Sequence, residues 1–123
     1  MEKKVDIDVN SGLCVIKVTG ILKRPQDSHE LLRIAGVAAK EHGCTHFLFD
    51  IREANIIANT IETFDAAADP EKHGFSRFFR AAAVYPAISD NLRFMENVAV
   101  NRGLFALRIF DDIDDAREWL LSN

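Results

Sequence analysis

The chain has 123 residues, of which 48% are hydrophobic and 28% are charged, and its formal net charge is −4 at pH 7. This length fits one globular domain over residues 1–123, and the balance of apolar and charged residues excludes a disordered chain. The negative net charge excludes a general basic surface for phosphate contacts, so we expect no nucleic-acid partner.

Two further features bear on the compartment. The cysteines Cys14 and Cys44 form no CxxC pair, and their number and spacing suggest no disulfide framework. Residues 1–6 lack the apolar stretch of a signal peptide, and no apolar run reaches the length of a membrane span. These features predict a location in the reducing cytoplasm.

The chain opens with a predicted β-hairpin. Residues 4–9 alternate polar and apolar side chains, which is typical of a half-buried strand. Residues 10–12 have the composition of a turn, and residues 13–18 form a second strand. Gly20 and Pro25 mark a break before the next element.

The middle of the chain alternates helices and strands. Residues 27–42 have the apolar spacing of a helix, with Asp27 or Ser28 as its N-terminal cap and Gly43 as its stop. Residues 47–51 are almost continuously apolar, which predicts a central parallel strand covered on both faces.

A second helix is predicted over residues 60–72, with Thr60 as its cap and with Pro70 weakening or ending it. Residues 81–85 read as another buried strand.

The last predicted elements complete the fold class. Ser89 caps a helix that extends to about Asn101, residues 105–110 form a strand, and Asp112 starts the final helix. The predicted fold is α/β, with a mixed, mostly parallel five-stranded sheet, an opening β-hairpin and four helices.

Motifs for chemistry are missing from the sequence. It contains no GxGxxG, GxxxxGK[ST], GxSxG or HExxH pattern and no EF-hand loop, so we expect no enzyme and no cofactor. His42, Cys44 and His46 crowd one turn, but their spacing matches no closed zinc site. The four aspartates within residues 111–115 are typical of a helix cap and first turn. We therefore expect no metal.

Three phenylalanines stand among cations between the second helix and the following strand. Phe75, Phe78 and Phe79 could contact an apolar ligand, a partner or a membrane surface. They could equally fill the core beneath the helix, because buried phenylalanine is common.

Two segments carry a resemblance to a known family. In residues 47–60 an apolar strand ends in Asp50-Ile51 and leads through a second apolar pair to a helix start. In residues 110–121 an acidic turn precedes an Ala-x-x-Trp-Leu helix. Both segments resemble the STAS domain family, and more closely its SpoIIAA-like branch, which shares features with Sec14-type lipid carriers. The resemblance covers nearly the whole chain and implies the fold of bacterial anti-sigma-factor antagonists.

The resemblance also implies a regulatory site. In regulatory members an Asp-Ser step at a helix N-terminus carries the phosphate that ejects a partner, because it adds about two negative charges. The matching step here is Ala58-Asn59, which offers no hydroxyl. Thr60, the next residue, has one, although a helix cap explains that threonine more simply.

The leading hypothesis is a non-catalytic module that binds an unknown protein partner. Its predicted surface is a loop over residues 52–59 and the following helix start, with Asp50, Arg52, Asn59 and Thr60 as contact candidates. The Asp50 and Arg52 pair is the one feature that could support an enzyme, and a strand-end ion pair explains it more simply.

The alternative hypothesis is a small carrier for a lipid or another apolar molecule, contacted by Phe75, Phe78 and Phe79. An exposed sheet edge or the phenylalanines could also support a homodimer.

Overall fold

The computed structural model describes residues 1–8 and 10–122, and within them five strands form one sheet in the order β1-β2-β3-β4-β5. The strands are β1 (Glu2–Asp8), β2 (Leu13–Lys23), β3 (His46–Ile57), β4 (Arg80–Val84) and β5 (Ala106–Phe110). β1 is antiparallel to β2, and the other three pairings are parallel. The predicted hairpin and the mixed, mostly parallel sheet are confirmed. The predicted end of the first strand, at Val9, lies outside the described residues.

Four α-helices cover this sheet in the described part of the chain. They are α1 (Gln26–His42), α2 (Thr60–Ala67), α3 (Asp90–Asn101) and α4 (Ile113–Leu121), and a short 3-10 turn spans Pro70–His73. The first three helices share one hydrophobic core with the sheet, and α4 packs in a second, smaller core on the other face. None of these helices combines the length and apolarity that a membrane crossing requires.

β3 shows why the central strands read as continuous apolar runs. Phe47 and Phe49 belong to the larger core, whereas Leu48 between them belongs to the core under α4. Successive side chains of a strand point to opposite faces, so a strand with helices on both sides presents apolar side chains to both of them.

Two strands are longer than predicted. β2 continues through Gly20 to Lys23, and β3 continues past Ile51 to Ile57, so the predicted break at Gly20 and the predicted loop after Ile51 are wrong. The two strands stay paired because a bulge realigns them: Lys17 is opposite Asp50, but Thr19 is opposite Glu53. Gly20 permits the irregular path with its positive φ of 79°.

The helix ends follow local hydrogen bonds. Gly43 closes α1 in the left-handed conformation, at φ 71°, and its N–H donates to the Ala39 carbonyl, which confirms the predicted stop. Ser89 caps α3 and Asp112 caps α4, as predicted. Asp27 and Ser28 do not cap α1, because their side chains accept hydrogen bonds from the Lys23 amide and from Arg24.

The predicted helix over residues 60–72 is two elements. α2 ends at Ala67, and the separate 3-10 turn begins at Pro70. A residue that precedes proline is disfavoured in the right-handed helical region, and Asp69 instead has φ 53°.

Gly36 of α1 meets the end of that turn without a side chain between them. A Cβ atom built on Gly36 would overlap the backbone carbonyl oxygen of Gly74. The close approach of two backbone segments therefore requires glycine at position 36.

We predict that Gly36→Ala destabilises the protein by about 1–3 kcal/mol, because the overlap outweighs the gain of about 1 kcal/mol in helix propensity. Val37→Ala, at the neighbouring exposed position, is the control and should change stability little. Urea denaturation followed by circular dichroism measures both variants. A Gly36→Ala protein more stable than the wild type would contradict the packing described here.

Candidate functional site

β3 extends beyond the end of its neighbour β4. The last registered pair between them is Asp50 with Val84, and beyond it β3 is registered with β2 alone. Residues 19–23 of β2 and 53–57 of β3, named here the β2–β3 ribbon, thus extend past the end of β4.

The two faces of the β2–β3 ribbon differ. On the inner face Leu22 is buried, and Ala54 and Ile56 pack against the larger core. On the outer face, Ile21 is 50% exposed and Ile57 is 55% exposed. Side chains of registered partners point to the same face, so Ile21 opposite Asn55 and Ile57 opposite Lys23 share this outer face.

An ion-pair network lies at the base of the outer face. Arg52 forms a bidentate ion pair with Asp50, at 2.8 Å from Nε to Oδ1 and 2.9 Å from Nη2 to Oδ2. Beside it, Lys17 Nζ lies 2.9 Å from Glu53 Oε2. The pair of Asp50 and Arg52 is an ion pair as expected, but it lies within β3 rather than at the end of a strand.

The Asp50 carboxylate is buried, yet the hydrogen bonds from Arg52 hold its pKa below the ordinary value of 3.8. Burial acts in the opposite direction but is outweighed. Asp50 therefore stays ionised at neutral pH and has no proton to donate to a substrate.

The β2–β3 ribbon leads directly into the start of α2. Asn59 Oδ1 accepts a hydrogen bond from the Glu62 amide at 2.8 Å, and Glu62 Oε1 accepts one from the Asn59 amide at 2.9 Å. This reciprocal arrangement is a capping box. The prediction that Thr60 caps the helix is wrong, because Thr60 is already the first helical residue.

The Thr60 side chain is exposed and only weakly engaged. Its hydroxyl donates to Asn91 Oδ1 at the long distance of 3.4 Å. Next to it, Ile61 is 71% exposed. Asn59 and Thr60 therefore lie on the surface, between the exposed isoleucines Ile57 and Ile61.

The three phenylalanines occupy different environments. Phe75 is fully buried, and its ring packs at 5.2 Å from the rings of Phe79 and Phe105. Phe79 is partly buried against the same core. Phe78 alone is exposed, at 80%, with the Arg77 guanidinium 5.0 Å from its ring centre. Phe75 therefore offers no surface to a ligand or membrane, and the three rings do not form one patch.

An apolar cavity of about 60 Å³ lies between the sheet and the first three helices, and Phe75, Phe78 and Phe79 do not line it. A space of this kind holds only a few water-sized groups, far less than the hydrocarbon chain of a membrane lipid requires.

The cysteines lie in the core. Burial raises the pKa of the Cys14 thiol to about 12 and also raises that of Cys44. Both thiols are therefore protonated at neutral pH, which makes them poor nucleophiles. In the part of the chain that the structure describes, no three His, Cys, Asp or Glu side chains are placed to hold a metal ion.

Sequence reasoning missed the exposed isoleucines because it treated residues 52–59 as a loop. A signal was present: Glu53, Asn55 and Ile57 alternate with Ala54 and Ile56, which is the period of a strand with one packed face.

Solved structures share this architecture. SpoIIAA, an anti-sigma factor antagonist in its unphosphorylated form, matches with a TM-score of 0.61 and 10% identity, over 99% of this chain and 100% of that chain. An anti-sigma factor antagonist from Mycobacterium paratuberculosis matches with a TM-score of 0.59 and 16% identity, over 98% of this chain and 94% of that chain. An uncharacterized DUF3478-family protein from Shewanella loihica PV-4 with a SpoIIAA-like fold matches at 0.58 and 20%, over 97% and 92% respectively.

No protein-family model matches this sequence, and no curated protein matches it significantly. The solved structures show the fold, which is SpoIIAA-like, as the resemblance in the sequence implied.

The capping box makes a prediction about stability. Asn59→Ala should lower the free energy of unfolding by about 1 kcal/mol, because the Glu62 amide loses its acceptor. Asn59→Ser keeps a capping oxygen, and Thr60→Ala removes no cap, so both should stay within about 0.5 kcal/mol of the wild type. Urea denaturation measures the free energy of unfolding of each variant. A larger loss of stability for Thr60→Ala than for Asn59→Ala would contradict the prediction.

The lowered pKa of Asp50 makes a prediction about pH. A carboxyl with a folded-state pKa below 3.8 contributes stability above that pH and loses it as the pH falls through the folded value. Asp50→Asn should therefore be less stable than the wild type by about 1 kcal/mol at pH 7, a modest figure because Arg52 is partly exposed to solvent. The difference should shrink below pH 3.8.

Urea denaturation at neutral and acid pH measures this difference. Glu53→Gln is the matched control, because it breaks an exposed ion pair and should change stability little at either pH. If Asp50→Asn lowers the free energy of unfolding by the same amount at every pH, the ion pair is not the source of the loss.

Proposed function

We propose, from the SpoIIAA-like fold of this chain, that it is a non-catalytic regulatory module that binds a protein partner. The binding surface is the outer face of the β2–β3 ribbon together with the first turn of α2. The observation that supports this proposal is the set of exposed isoleucines, Ile21, Ile57 and Ile61, beside Asn59 and Thr60. Two of the neighbours in fold are anti-sigma factor antagonists, which are named for their action on a protein.

The composition of this surface suits a protein interface. Exposed apolar side chains rimmed by charges are typical of interaction sites, and here Lys17, Arg52 and Glu53 form the rim. Fully burying an isoleucine contributes roughly 1.5–3 kcal/mol, so half-exposed isoleucines can add a substantial part of a binding energy.

The surface lacks the phosphorylated Asp-Ser step that the resemblance to the STAS family implies. Asn59 has no hydroxyl, and its amide oxygen is already the cap of α2. Partner binding by this chain is therefore not switched by a phosphate on residue 59. The Thr60 hydroxyl is exposed in the first turn of α2, so a negative charge introduced there reports whether a partner docks on this turn.

Charge substitutions at this surface should weaken partner binding without unfolding the domain. Asn59→Asp retains a capping oxygen, and Thr60→Glu places a carboxylate in the first helical turn, where it is tolerated. Ile57→Glu replaces an exposed apolar side chain. Each variant places a charge where the partner would exclude water, so binding should weaken at least about tenfold.

The experiment is affinity capture from the native organism with quantitative mass spectrometry, followed by calorimetry with the purified partner. Val100→Glu is the matched control, because Val100 is also exposed, at 52%, but lies on α3. Thermal melts of every variant establish that the fold is intact. Equal capture of the same partner by the wild type and the three surface variants would contradict the proposed surface. If the wild type self-associates and these substitutions abolish the self-association, the partner is a second copy of the chain.

A further inference from the structure

Arg24, which follows β2, is a buried cation. Arg24 is only 4% exposed to solvent. Its Nε–H donates to Ser28 Oγ at 3.2 Å, one Nη2–H donates to the Tyr85 hydroxyl, and the guanidinium lies 5.6 Å from the centre of the Tyr85 ring. Since arginine stays protonated in proteins, this site holds a permanent positive charge.

The charge has no acidic partner in the described structure. Within residues 1–8 and 10–122, no carboxylate lies within salt-bridge distance of Arg24. The acidic residue nearest in sequence, Asp27, accepts a hydrogen bond from the Lys23 amide instead, at 2.7 Å. The guanidinium is buried and its hydrogen-bond partners are neutral hydroxyls, so a bound anion at this position would be favoured.

Arg24, Ser28 and Tyr85 also form the polar part of the wall of the 60 Å³ cavity. The rest of the wall is apolar and includes Leu32, Phe49, Ala83, Met95 and Phe105. A cation with free donors thus lies beside a small apolar space. This combination matches a molecule with one anionic end and one short hydrocarbon end.

We propose that the cavity binds a small aliphatic monocarboxylate. The carboxylate pairs with the free N–H groups of the Arg24 guanidinium, which fits two oxygens in a plane. The hydrocarbon part occupies the apolar space. The space is small and takes a short chain of a few carbons. A phosphate has more charged oxygens than these donors can serve, and it leaves the apolar wall unused.

The test uses calorimetry and thermal melts of the full chain with butanoate, pentanoate and hexanoate as probes. Binding should be saturable and tighten about fourfold for each added methylene until the cavity is full. Hexanamide, which has the same shape without the charge, should bind at least tenfold more weakly. Inorganic phosphate should not bind.

Variants assign the binding to the cavity. Arg24→Met should abolish binding of hexanoate, and its thermal melt establishes that it folds without the hydrogen bonds from Arg24 to Ser28 and Tyr85. Tyr85→Phe removes one hydroxyl and should weaken binding several-fold, which keeps the test open if Arg24→Met does not fold. Ala83→Val adds volume to the cavity wall and should also weaken hexanoate binding. Arg33→Met, at an exposed arginine of α1, should bind like the wild type.

Several results would overturn the proposal. They are the absence of saturable binding for all three acids, equal binding of hexanoate and hexanamide, phosphate binding as tight as that of hexanoate, and unchanged affinity in both Arg24→Met and Tyr85→Phe. The protein surface proposed above is not needed for any of these outcomes, because none of its residues lines the cavity.

Discussion

The pairing of β2 with β3 beyond the end of β4 is the constraint on which both proposed sites depend. A parallel pair that continues past its neighbours has a strand partner on one side only, and its two faces meet different surroundings. Here the inner face closes the larger core, and the outer face extends beyond the region that α4 covers. The bulge between Lys17 and Thr19 preserves this division of faces.

The end of the β2–β3 ribbon joins the two sites through one backbone contact. The Arg24 amide donates to the Ile57 carbonyl at 3.1 Å. This bond fixes the position from which the Arg24 side chain enters the core, and it also fixes Ile57 on the outer face, two residues before Asn59. A surface residue and a buried cation are thereby held by the same pair of strands.

The order of the elements could be predicted from the sequence because each central element carries a strong local signal. Residues 47–51 are apolar at every position except Asp50, and Gly43, Ser89 and Asp112 have specific roles at helix ends. These signals depend only on neighbours in the chain, so reading them requires no knowledge of tertiary contacts.

The candidate site was harder to predict because it depends on tertiary contacts. Phe75 and Phe78 lie three residues apart, yet one is fully buried and the other is 80% exposed, which the packing against Phe105 and its neighbours decides. Asn59 and Thr60 are both good caps, and the structure selects Asn59 through the Glu62 side chain. Arg24 lies in a segment that reads as a break, so its burial had no sequence signal.

Hydrogen–deuterium exchange of the complex with the captured protein partner tests the central claim most directly. If the outer face of the β2–β3 ribbon is the docking surface, peptides that cover residues 19–23 and 52–63 should exchange more slowly in the complex than in the free protein. Peptides that cover α4 should exchange at the same rate in both. Slowed exchange confined to α4 and β5, with no change in the β2–β3 ribbon, would contradict the account.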